Sequence, residues 1–365
     1  MHVCINELHL NQYDDHDVLK NKRLRVFWCV YLLERMICNA VEKPYLIQEA
    51  DISPNFPLFT YKSFRDAILP IDLSPSSSLS SPRKTSKSEE LMTSNNILNE
   101  RKVHFINQTL RLRRLESRFV TELDIMSFKT KNKSKKFLKS QLAKVEQYFH
   151  DLKIWRSSCN LQYVRNFENE TLKLYYYRSV RLLIQPYLEL LKPEHRLFRE
   201  CQASAGQICQ LYKIFHQKTV FGHSTPAVHT VFTSGLTLVY CLWLARNADD
   251  QRRRNLGDNA KHTRPTISAT LFAVFDDLRA CSVCLYVMAE RSKFAIIFRD
   301  TFDQLMNCTI GNLIERCGPD SSELITLRNN DKKRSNLYSS MPLEESLSNE
   351  EPLSTEELNQ RSLVQ

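Results

Sequence analysis

The sequence predicts an all-α protein, a multi-helix regulatory domain with a disordered Ser-rich insert and a disordered C-terminal tail. Three observations support this fold class. Apolar residues recur at helical spacing along most of the 365 residues. Only six glycines occur, so the tight turns, bulges and phosphate-binding loops of β-rich and nucleotide-binding folds are scarce. Apolar residues form 42% of the chain, which is enough for a sizeable core.

The first predicted helix, Asp17–Val41, is apolar on nearly every side, with Leu24, Phe27 and Tyr31 among its large residues. We therefore expect it to be central and buried. Pro44 should end it, because the residue before a proline disfavours the helical conformation. Residues 1–73 form the N-terminal part of the predicted domain.

Residues 74–96 read SPSSSLSSPRKTSKSEELMTSNN and offer almost nothing to bury, so they are predicted to be a disordered insert. The dipeptides Ser74-Pro75 and Ser81-Pro82 lie beside basic residues and are plausible phosphorylation sites.

Residues 97–320 are predicted to be the remaining helical part of the domain. Its first helix, within residues 97–126, has a basic face beside an apolar stripe made of Val103, Ile106, Leu110, Leu115, Phe119 and Leu123. Further helices are predicted at 137–155, 168–191, 194–218, 227–246, 267–290 and 292–316, separated by short turns and by a basic loop at residues 247–265.

The segment Ser224–Ala245 carries no formal charge and is long enough to span a membrane. Its polar residues, such as Thr230, Thr233 and Ser234, dilute the hydrophobicity, and a large helical protein needs a helix that is buried on every side. We expect a core helix and no membrane contact.

The eleven cysteines are scattered through apolar stretches, as at Cys29, Cys38 and Cys241, and are predicted to be reduced, buried thiols. Cys281 and Cys284 have the spacing of half a zinc site but no second pair at a suitable distance, so we expect them in the core. No metal or other cofactor is expected in this chain.

Catalytic motifs are absent from the sequence, including the nucleophile elbow, the zinc-protease helix and the phosphate-binding loops. A helical enzyme that binds diphosphate through magnesium needs paired carboxylates one helical turn apart. The pairs Asp249-Asp250 and Asp276-Asp277 lack the third carboxylate at that spacing. The sequence therefore favours a protein that is not an enzyme.

The net charge of +10 arises mainly from residues 74–160. Its densest run, Phe128–Lys139, contains Lys131, Lys133, Lys135 and Lys136. Such a run is usually a solvated surface, and its functional interpretations are nuclear import or a loose contact with a polyanion.

The stretch RLRVFWCVYLLERMICNAVEKPYLIQEADISPNFP, residues 23–57, resembles the signature of the fungal-specific transcription factor domain, the middle regulatory region of fungal zinc binuclear cluster transcription factors. Glu42-Lys43 depart from the Gly-Arg that this family prefers. Weaker similarity at residues 5–13 and 172–188 extends the resemblance over about residues 1–320. The matching motif residues are Arg23, Arg25, Phe27, Trp28, Tyr31, Glu34, Arg35, Pro44, Asp51 and Pro57.

The resemblance implies an all-helical regulatory domain of a nuclear protein that controls RNA polymerase II transcription. Its implied partners are the transcription machinery or coregulators, a small-molecule effector and a second copy in a homodimer. The motif residues are expected mainly to maintain the fold, with Glu34 and Arg35 pairing or capping backbone groups of the extended segment that follows the helix. The alternatives are a helical protein-interaction module outside transcription and a helical lipid- or isoprenoid-handling enzyme.

The zinc cluster of this family needs six cysteines in two C-x2-C-x6-C halves, and residues 1–22 contain only Cys4. We expect zinc and DNA recognition to belong to an N-terminal cluster of full-length relatives, and this chain to be a C-terminal portion, a truncated gene model or a natural form. In the acidic tail, residues 321–365, leucines alternate with glutamates from residue 335 onward. This pattern is typical of an activation segment and equally of an inert terminus.

Overall fold

The computed structural model describes residues 19–41, 43–53, 56–63, 86–126, 134–159, 166–218, 224–255 and 269–317. No strand occurs in these ranges, which confirms the all-α prediction. The Ser-Pro dipeptides, Lys131, Lys133 and the acidic tail lie outside the described residues, so the predictions made for them stay predictions.

The helices follow the predicted order. They are α1 Lys20–Val41, α2 Ser86–Glu122, α3 Lys135–Ser158, α4 Asn166–Ile184, α5 Arg196–Gln217, α6 Thr225–Asn255, α7 Ala269–Arg291 and α8 Lys293–Cys317. A 3-10 turn, Gln185–Leu190, continues α4, because Pro186 interrupts the regular helical hydrogen bonds. A second 3-10 turn, Glu49–Asp51, lies in the extended segment after α1.

Helix α2 begins at Ser86, inside the segment 74–96 that was predicted to be disordered. Residues 86–96 contain no glycine or proline, so no residue there breaks a helix.

Helix α6 continues to Asn255, so the prediction of a loop from residue 247 is wrong for residues 247–255. These nine residues contain no glycine or proline that would stop a helix. Arg252 also lies 3.8 Å from Asp249 one turn earlier and 3.0 Å from Glu194. The charged residues suggested a loop, but charge indicates only exposure to solvent, which is equally compatible with a surface helix.

Residues 1–260 and 266–312 form one compact unit, and of the second unit, 261–265 and 313–365, only residues 313–317 are described. The first unit contains three apolar clusters. One joins α1 to the extended segment and α2, the next joins α2, α3, α4 and the start of α5, and the last joins α5, α6, α7 and α8.

Helix α6 lies in the last of these clusters, where Val228, Val231 and Leu238 have no exposed surface. The Ser234 hydroxyl is buried and donates to the carbonyl of Thr230 at 2.7 Å, so its polarity is satisfied within the helix. Among the described residues, α6 is the one helix long and apolar enough to cross a membrane, and 56% of its apolar window is buried inside the protein. Helix α6 is therefore a core helix along one side, but Trp243 is 52% exposed, so the expectation of burial on every side is wrong.

Helix α1 is buried on one side only, so the expectation of a central, buried helix holds for one face alone. Leu24, Phe27 and Tyr31 face inward, while Val26 and Leu33 are about half exposed. The helical repeat of 3.6 residues explains this arrangement, because residues 24, 27 and 31 share one face and residues 26 and 33 lie opposite.

Cys29 lies on the outward face of α1 and is exposed, which contradicts its prediction as a buried thiol. Cys308 is also exposed. The other described thiols are buried, as predicted: Cys38, Cys159, Cys201, Cys209, Cys241, Cys281 and Cys284.

Candidate functional site

The family-like motif folds into a junction between α1, the extended segment (residues 43–53 and 56–59) and α2, which we call the N-terminal junction. The chain leaves α1 at Pro44 and crosses the inner face of that helix. The indole of Trp28 donates to the carbonyl of Pro57 at 3.0 Å. On α2, the Asn107 amide donates to the carbonyl of Phe59 at 2.7 Å and accepts from its N–H at 3.1 Å.

Aromatic rings fill the space beneath this crossing. Phe56 of the extended segment lies with its ring centroid 4.6 Å from Phe27 and 5.3 Å from Trp28. The Trp28 and Tyr31 rings meet edge to face at 5.3 Å and 87°. Each such pair contributes about 0.5–1.5 kcal/mol beyond the burial of its area.

Arg35 lies at the centre of the junction, and its side chain is fully buried. Its guanidinium donates through Nε to the Ser117 hydroxyl of α2 at 2.8 Å, through Nη2 to the carbonyl of Ile47 at 2.7 Å and through Nη1 to Glu34. One side chain of α1 therefore connects the second helix to the extended segment.

The guanidinium of Arg35 is also enclosed between two aromatic rings. Its Cζ atom lies 4.3 Å from the ring centroid of Tyr31 and 4.0 Å from that of Tyr45. Stacking against both faces of the planar group offsets part of the cost of removing the charge from water.

Glu34 neutralises this charge, and its carboxylate is 2% exposed. Its Oε1 atom also accepts from the backbone N–H of Leu46 at 2.5 Å and from the thiol of Cys38 at 3.6 Å. Glu34 and Arg35 thus pair with each other, and each binds a backbone group of the extended segment, as the sequence predicted.

A second carboxylate, Glu49, closes the network at its solvent side. It accepts from the Tyr31 hydroxyl at 2.5 Å and from Nε of Arg114 at 3.1 Å, and it lies 3.5 Å from Nη2 of Arg35. Burial raises the pKa of Tyr31, and the charge of Glu49 adds to this effect while Arg35 opposes it. The hydroxyl therefore stays protonated at neutral pH and donates to Glu49.

A neighbouring network connects α1, α2 and α4 around Glu116, which is 1% exposed. Glu116 accepts from Arg113 at 2.6 Å, from the Asn39 amide at 3.0 Å and from the Ser179 hydroxyl at 2.5 Å. Tyr45 of the extended segment donates to the Asn39 carbonyl at 2.5 Å. Burial raises the pKa of Tyr45, so this hydroxyl also remains a donor.

A small cavity lies beside Glu116, between α1, α2, α4 and α6. Its volume is about 10 Å³, and Asn39, Arg113, Arg178 and Thr230 are among its lining residues. A cavity of this size holds one water molecule. Organic ligands need about 300 Å³ or more, so this cavity does not fit a small-molecule effector.

The remaining motif residues lie away from the buried network. Arg23 and Arg25 are exposed on α1, and Pro44 is exposed where the chain turns. Asp51 is exposed in the 3-10 turn, where its carboxylate accepts from the N–H of Gln48 at 3.2 Å.

The basic run is described only from residue 134 onward. Lys135 and Lys136 are exposed in the first turn of α3, whose N-cap is Ser134. Exposure agrees with the solvated-surface interpretation and equally with recognition by an import receptor.

The sequence did not point to Glu49, Arg113, Glu116 or Ser117 as members of a buried network. Arg113 is 3% exposed, although a basic face was predicted beside the apolar stripe of α2. A usable signal existed in the helical spacing. Arg113 and Ser117 continue the stripe that begins at the buried Leu110, so they occupy positions where a helix of this kind carries apolar residues.

The acidic pair Asp276-Asp277 belongs to a contact between α7 and α5. The Gln210 amide donates to both carboxylates at 2.9 Å, and Arg279 pairs with Asp276 at 2.8 Å. A Cβ atom on Gly206 would lie 1.9 Å from Oδ2 of Asp277, so the two helices approach closely here. Among the described residues, no cluster of three or more potential metal ligands occurs.

Cys281 and Cys284 are core thiols, as predicted. The Cys281 thiol donates to the carbonyl of Val231 at 3.5 Å, and Cys284 donates to the carbonyl of Cys209 at 3.8 Å. Burial raises the pKa of both thiols, which disfavours the thiolate that metal binding requires.

Comparison with known proteins shows which domain contains the N-terminal junction. Residues 6–157 match the family model of the fungal specific transcription factor domain. The chain carries a fungal specific transcription factor domain. This matched range includes the N-terminal junction, α2 and nearly all of α3. The motif described above therefore lies within the matched domain, and helices α4 to α8 follow it.

Two relatives from Saccharomyces cerevisiae extend the comparison. The chain is 60% identical over 334 residues, 92% of its length, to an uncharacterized transcriptional regulatory protein. It is 24% identical over 234 residues, 62% of its length, to pyrimidine pathway regulatory protein 1. It spans 23% of the length of each relative. No solved structure matches the chain.

Proposed function

We propose that this chain is the regulatory domain of a fungal nuclear transcription factor that controls transcription by RNA polymerase II. The observation that carries the proposal is the 60% identity, over 92% of the chain, to a transcriptional regulatory protein. The domain match over residues 6–157 supports it independently. The proposed role is regulatory and not enzymatic, and it requires no cofactor in this chain.

The buried motif has a definite part in this proposal. It fixes the extended segment between α1 and α2 through the side chains of Glu34 and Arg35, so its role is to maintain the fold of the domain. Recognition of a DNA sequence belongs to a zinc cluster in full-length relatives. The transcription machinery or coregulators are the proposed partners of the region described here.

A reporter assay tests the regulatory role. The chain is fused to a heterologous DNA-binding domain, and transcription from a cognate promoter is compared with that of the DNA-binding domain alone at equal protein level. We expect output to rise or fall, and the change to be lost when Arg35 is replaced by Met but kept when the half-exposed Arg114 is replaced by Met. Output equal to that of the DNA-binding domain alone would contradict the proposal.

DNA binding by the purified chain provides a second test. The basic run should bind duplex DNA weakly and without sequence preference, with an affinity that falls steeply as salt rises, because phosphate contacts release counterions. Fluorescence anisotropy over a salt series measures this. Sequence-selective binding in the nanomolar range at physiological salt would assign DNA recognition to this chain instead.

Nuclear import is proposed for the basic run. Replacement of Lys131, Lys133, Lys135 and Lys136 by Gln should reduce nuclear accumulation of a fluorescent fusion. Replacement of the same four residues by Arg keeps the charge and should leave accumulation unchanged. Equal nuclear accumulation of the Gln variant and the unsubstituted protein would indicate that the basic run is a solvated surface without a role in import.

A further inference from the structure

A surface pocket lies between the last turns of α3 and the middle of α4. Its volume is about 340 Å³, and it is lined by Lys153, Arg156, Ser157, Cys159 and Tyr176. Small-molecule pockets in proteins occupy about 300–1,000 Å³, so this one is large enough for a compact metabolite. It is separate from the N-terminal junction, where the cavity holds at most one water molecule.

Arg156 carries the strongest indication of a ligand. Its Nη2 atom donates to the Asn169 side chain at 2.7 Å, which fixes the plane of the guanidinium. Its Nη1 atom is buried and has no hydrogen-bond partner among the residues that the structure describes. An arginine stays protonated in proteins, and a buried charged donor without an acceptor is costly. An anionic acceptor at Nη1 would remove this cost.

The charges around the pocket also favour an anion. Lys153 lies 3.6 Å from Glu200, but both side chains are more than a third exposed, so water screens this pair. Arg156 has no acidic partner among the described residues. Arg196 lies near Tyr176 and Arg111 near Cys159, so the surroundings of the pocket carry a net positive charge that attracts an anion.

The opposite wall of the pocket is apolar or neutral. The Tyr176 ring meets Tyr177 edge to face at 5.4 Å, which holds it in place. Burial raises the pKa of Tyr176 to about 12, with Glu200 adding to the shift, so its hydroxyl is a neutral donor at physiological pH. Burial likewise raises the pKa of Cys159, which keeps this thiol uncharged despite the neighbouring Arg156.

We propose that this pocket binds a small organic carboxylate with an apolar body. The carboxylate lies against Nη1 of Arg156 and the ammonium group of Lys153, and the apolar body lies on the Tyr176 ring and the Cys159 thiol. The site is an effector site if the chain is a regulatory domain. Binding itself rests only on the pocket, so a binding measurement succeeds or fails independently of the reporter assay.

The test uses benzoate as the probe, with the whole purified chain, and measures binding by isothermal titration calorimetry over the millimolar range. We expect saturable binding at one site. Arg156→Gln should weaken it by about tenfold or more, since a hydrogen bond to a charged group is lost. Lys153→Gln should weaken it less, because the ammonium group is partly solvated.

Controls separate a specific site from general attraction to a basic protein. Arg279→Gln removes a positive charge from an exposed side chain of α7 and should leave benzoate binding unchanged. Cyclohexanemethanol, which has a similar body without the carboxylate, should not bind detectably. Inorganic phosphate should compete poorly, because it has no apolar body to pack on the Tyr176 ring.

Several outcomes would overturn the assignment. They are the absence of saturable benzoate binding, equal weakening by Arg156→Gln and Arg279→Gln, and phosphate that binds more tightly than benzoate. Circular dichroism establishes that each variant is folded. If Arg156→Gln does not fold, Lys153→Gln decides alone, since the Lys153 side chain is 39% exposed, and unchanged affinity would then refute the site.

Discussion

The N-terminal junction and the bundle of α5 to α8 are stabilised by different interactions. In the junction, a fully buried guanidinium binds a hydroxyl, a carboxylate and a backbone carbonyl. In the bundle, the core is made of aliphatic side chains, aromatic rings and thiols, with close helix approaches at Gly206 and Gly235. Both regions bury large apolar side chains, so hydrophobicity does not account for the contrast.

The backbone explains the difference. Inside the bundle, the helices satisfy their own N–H and C=O groups, so packing needs only complementary shapes. The extended segment has no neighbouring strand, and its buried backbone groups need side-chain partners. Leu46, Ile47, Pro57 and Phe59 find these partners on α1 and α2. The polar residues of the family motif thus replace the hydrogen bonds that a sheet would have provided.

The largest expected effect comes from breaking the junction at Arg35. Replacement by Met leaves the Glu34 charge and the Ile47 carbonyl buried without their partner, which should lower the free energy of unfolding by about 3–5 kcal/mol. Urea denaturation followed by circular dichroism measures the change. Domains of this kind are stable by about 5–15 kcal/mol, so the loss is a large part of the total.

Arg114→Met is the matched control for this prediction. Arg114 also binds a carboxylate of the junction, Glu49, but its side chain is 40% exposed. Exposed pairs contribute about 0–1 kcal/mol, so the control should unfold near the unsubstituted protein. Equal losses for the two variants would show that the buried network does not hold the extended segment.

The sequence predicted the fold where the helical pattern was long and regular. The stripe on α2 from Leu110 to Leu123 is buried as expected, and so is the inner side of α6 with Val228, Val231 and Leu238. The wrong predictions share one cause: each inferred the surroundings of a segment from its residue types alone. The charges of 247–255 suggested a loop and the apolar surface of α1 suggested full burial, although neighbouring elements decide both.

The candidate site was predicted less completely than the fold. The pairing of Glu34 with Arg35 was expected from the resemblance of the motif, in which these residues lie beside the extended segment. The burial of Ser117 could have been inferred from its place on the stripe of α2. The contacts of Glu116 with Asn39 and with Ser179 could not, since these partners lie more than 60 positions away and meet Glu116 only after folding. Local sequence does not show which element a buried polar residue of α2 will contact.

A smaller effect is expected from crowding the bundle at Gly235. A Cβ atom there would lie 2.5 Å from the Cys281 sulfur and 2.5 Å from the Phe302 ring, both of which are fully buried. Gly235→Ala should therefore lower the free energy of unfolding by about 1–3 kcal/mol through overpacking, less the gain in helix propensity. Thermal and urea denaturation measure the difference.

Gly311→Ala provides the control for this substitution. Gly311 also lies in a helix, α8, but nothing lies within 4 Å of an added Cβ atom. Alanine should stabilise this position by about 0.5–1 kcal/mol, because it restricts the unfolded chain and favours the helix. A loss at Gly311, or a gain at Gly235, would contradict the view that close packing determines stability in the bundle.

The smallest effect tests Asp277, a carboxylate of the bundle that is partly buried and has no cation partner among the described residues. Burial raises the pKa of Asp277, and the charge of Asp276 adds to this, while the Gln210 amide opposes it. A raised pKa means that the folded state favours the protonated acid, so the stabilising contribution is present at low pH and is lost as pH rises through the folded-state pKa. Asp277→Asn should therefore raise the melting temperature slightly at neutral pH, and the gain should disappear toward about pH 3.

Asp276 is the opposite case, because Arg279 and Gln210 lower its pKa, so Asp276→Asn should slightly lower the melting temperature at neutral pH. Melting curves of both variants across this pH range test the two predictions. Melting-temperature shifts of the same sign at neutral pH would contradict the opposite pKa shifts of the two carboxylates.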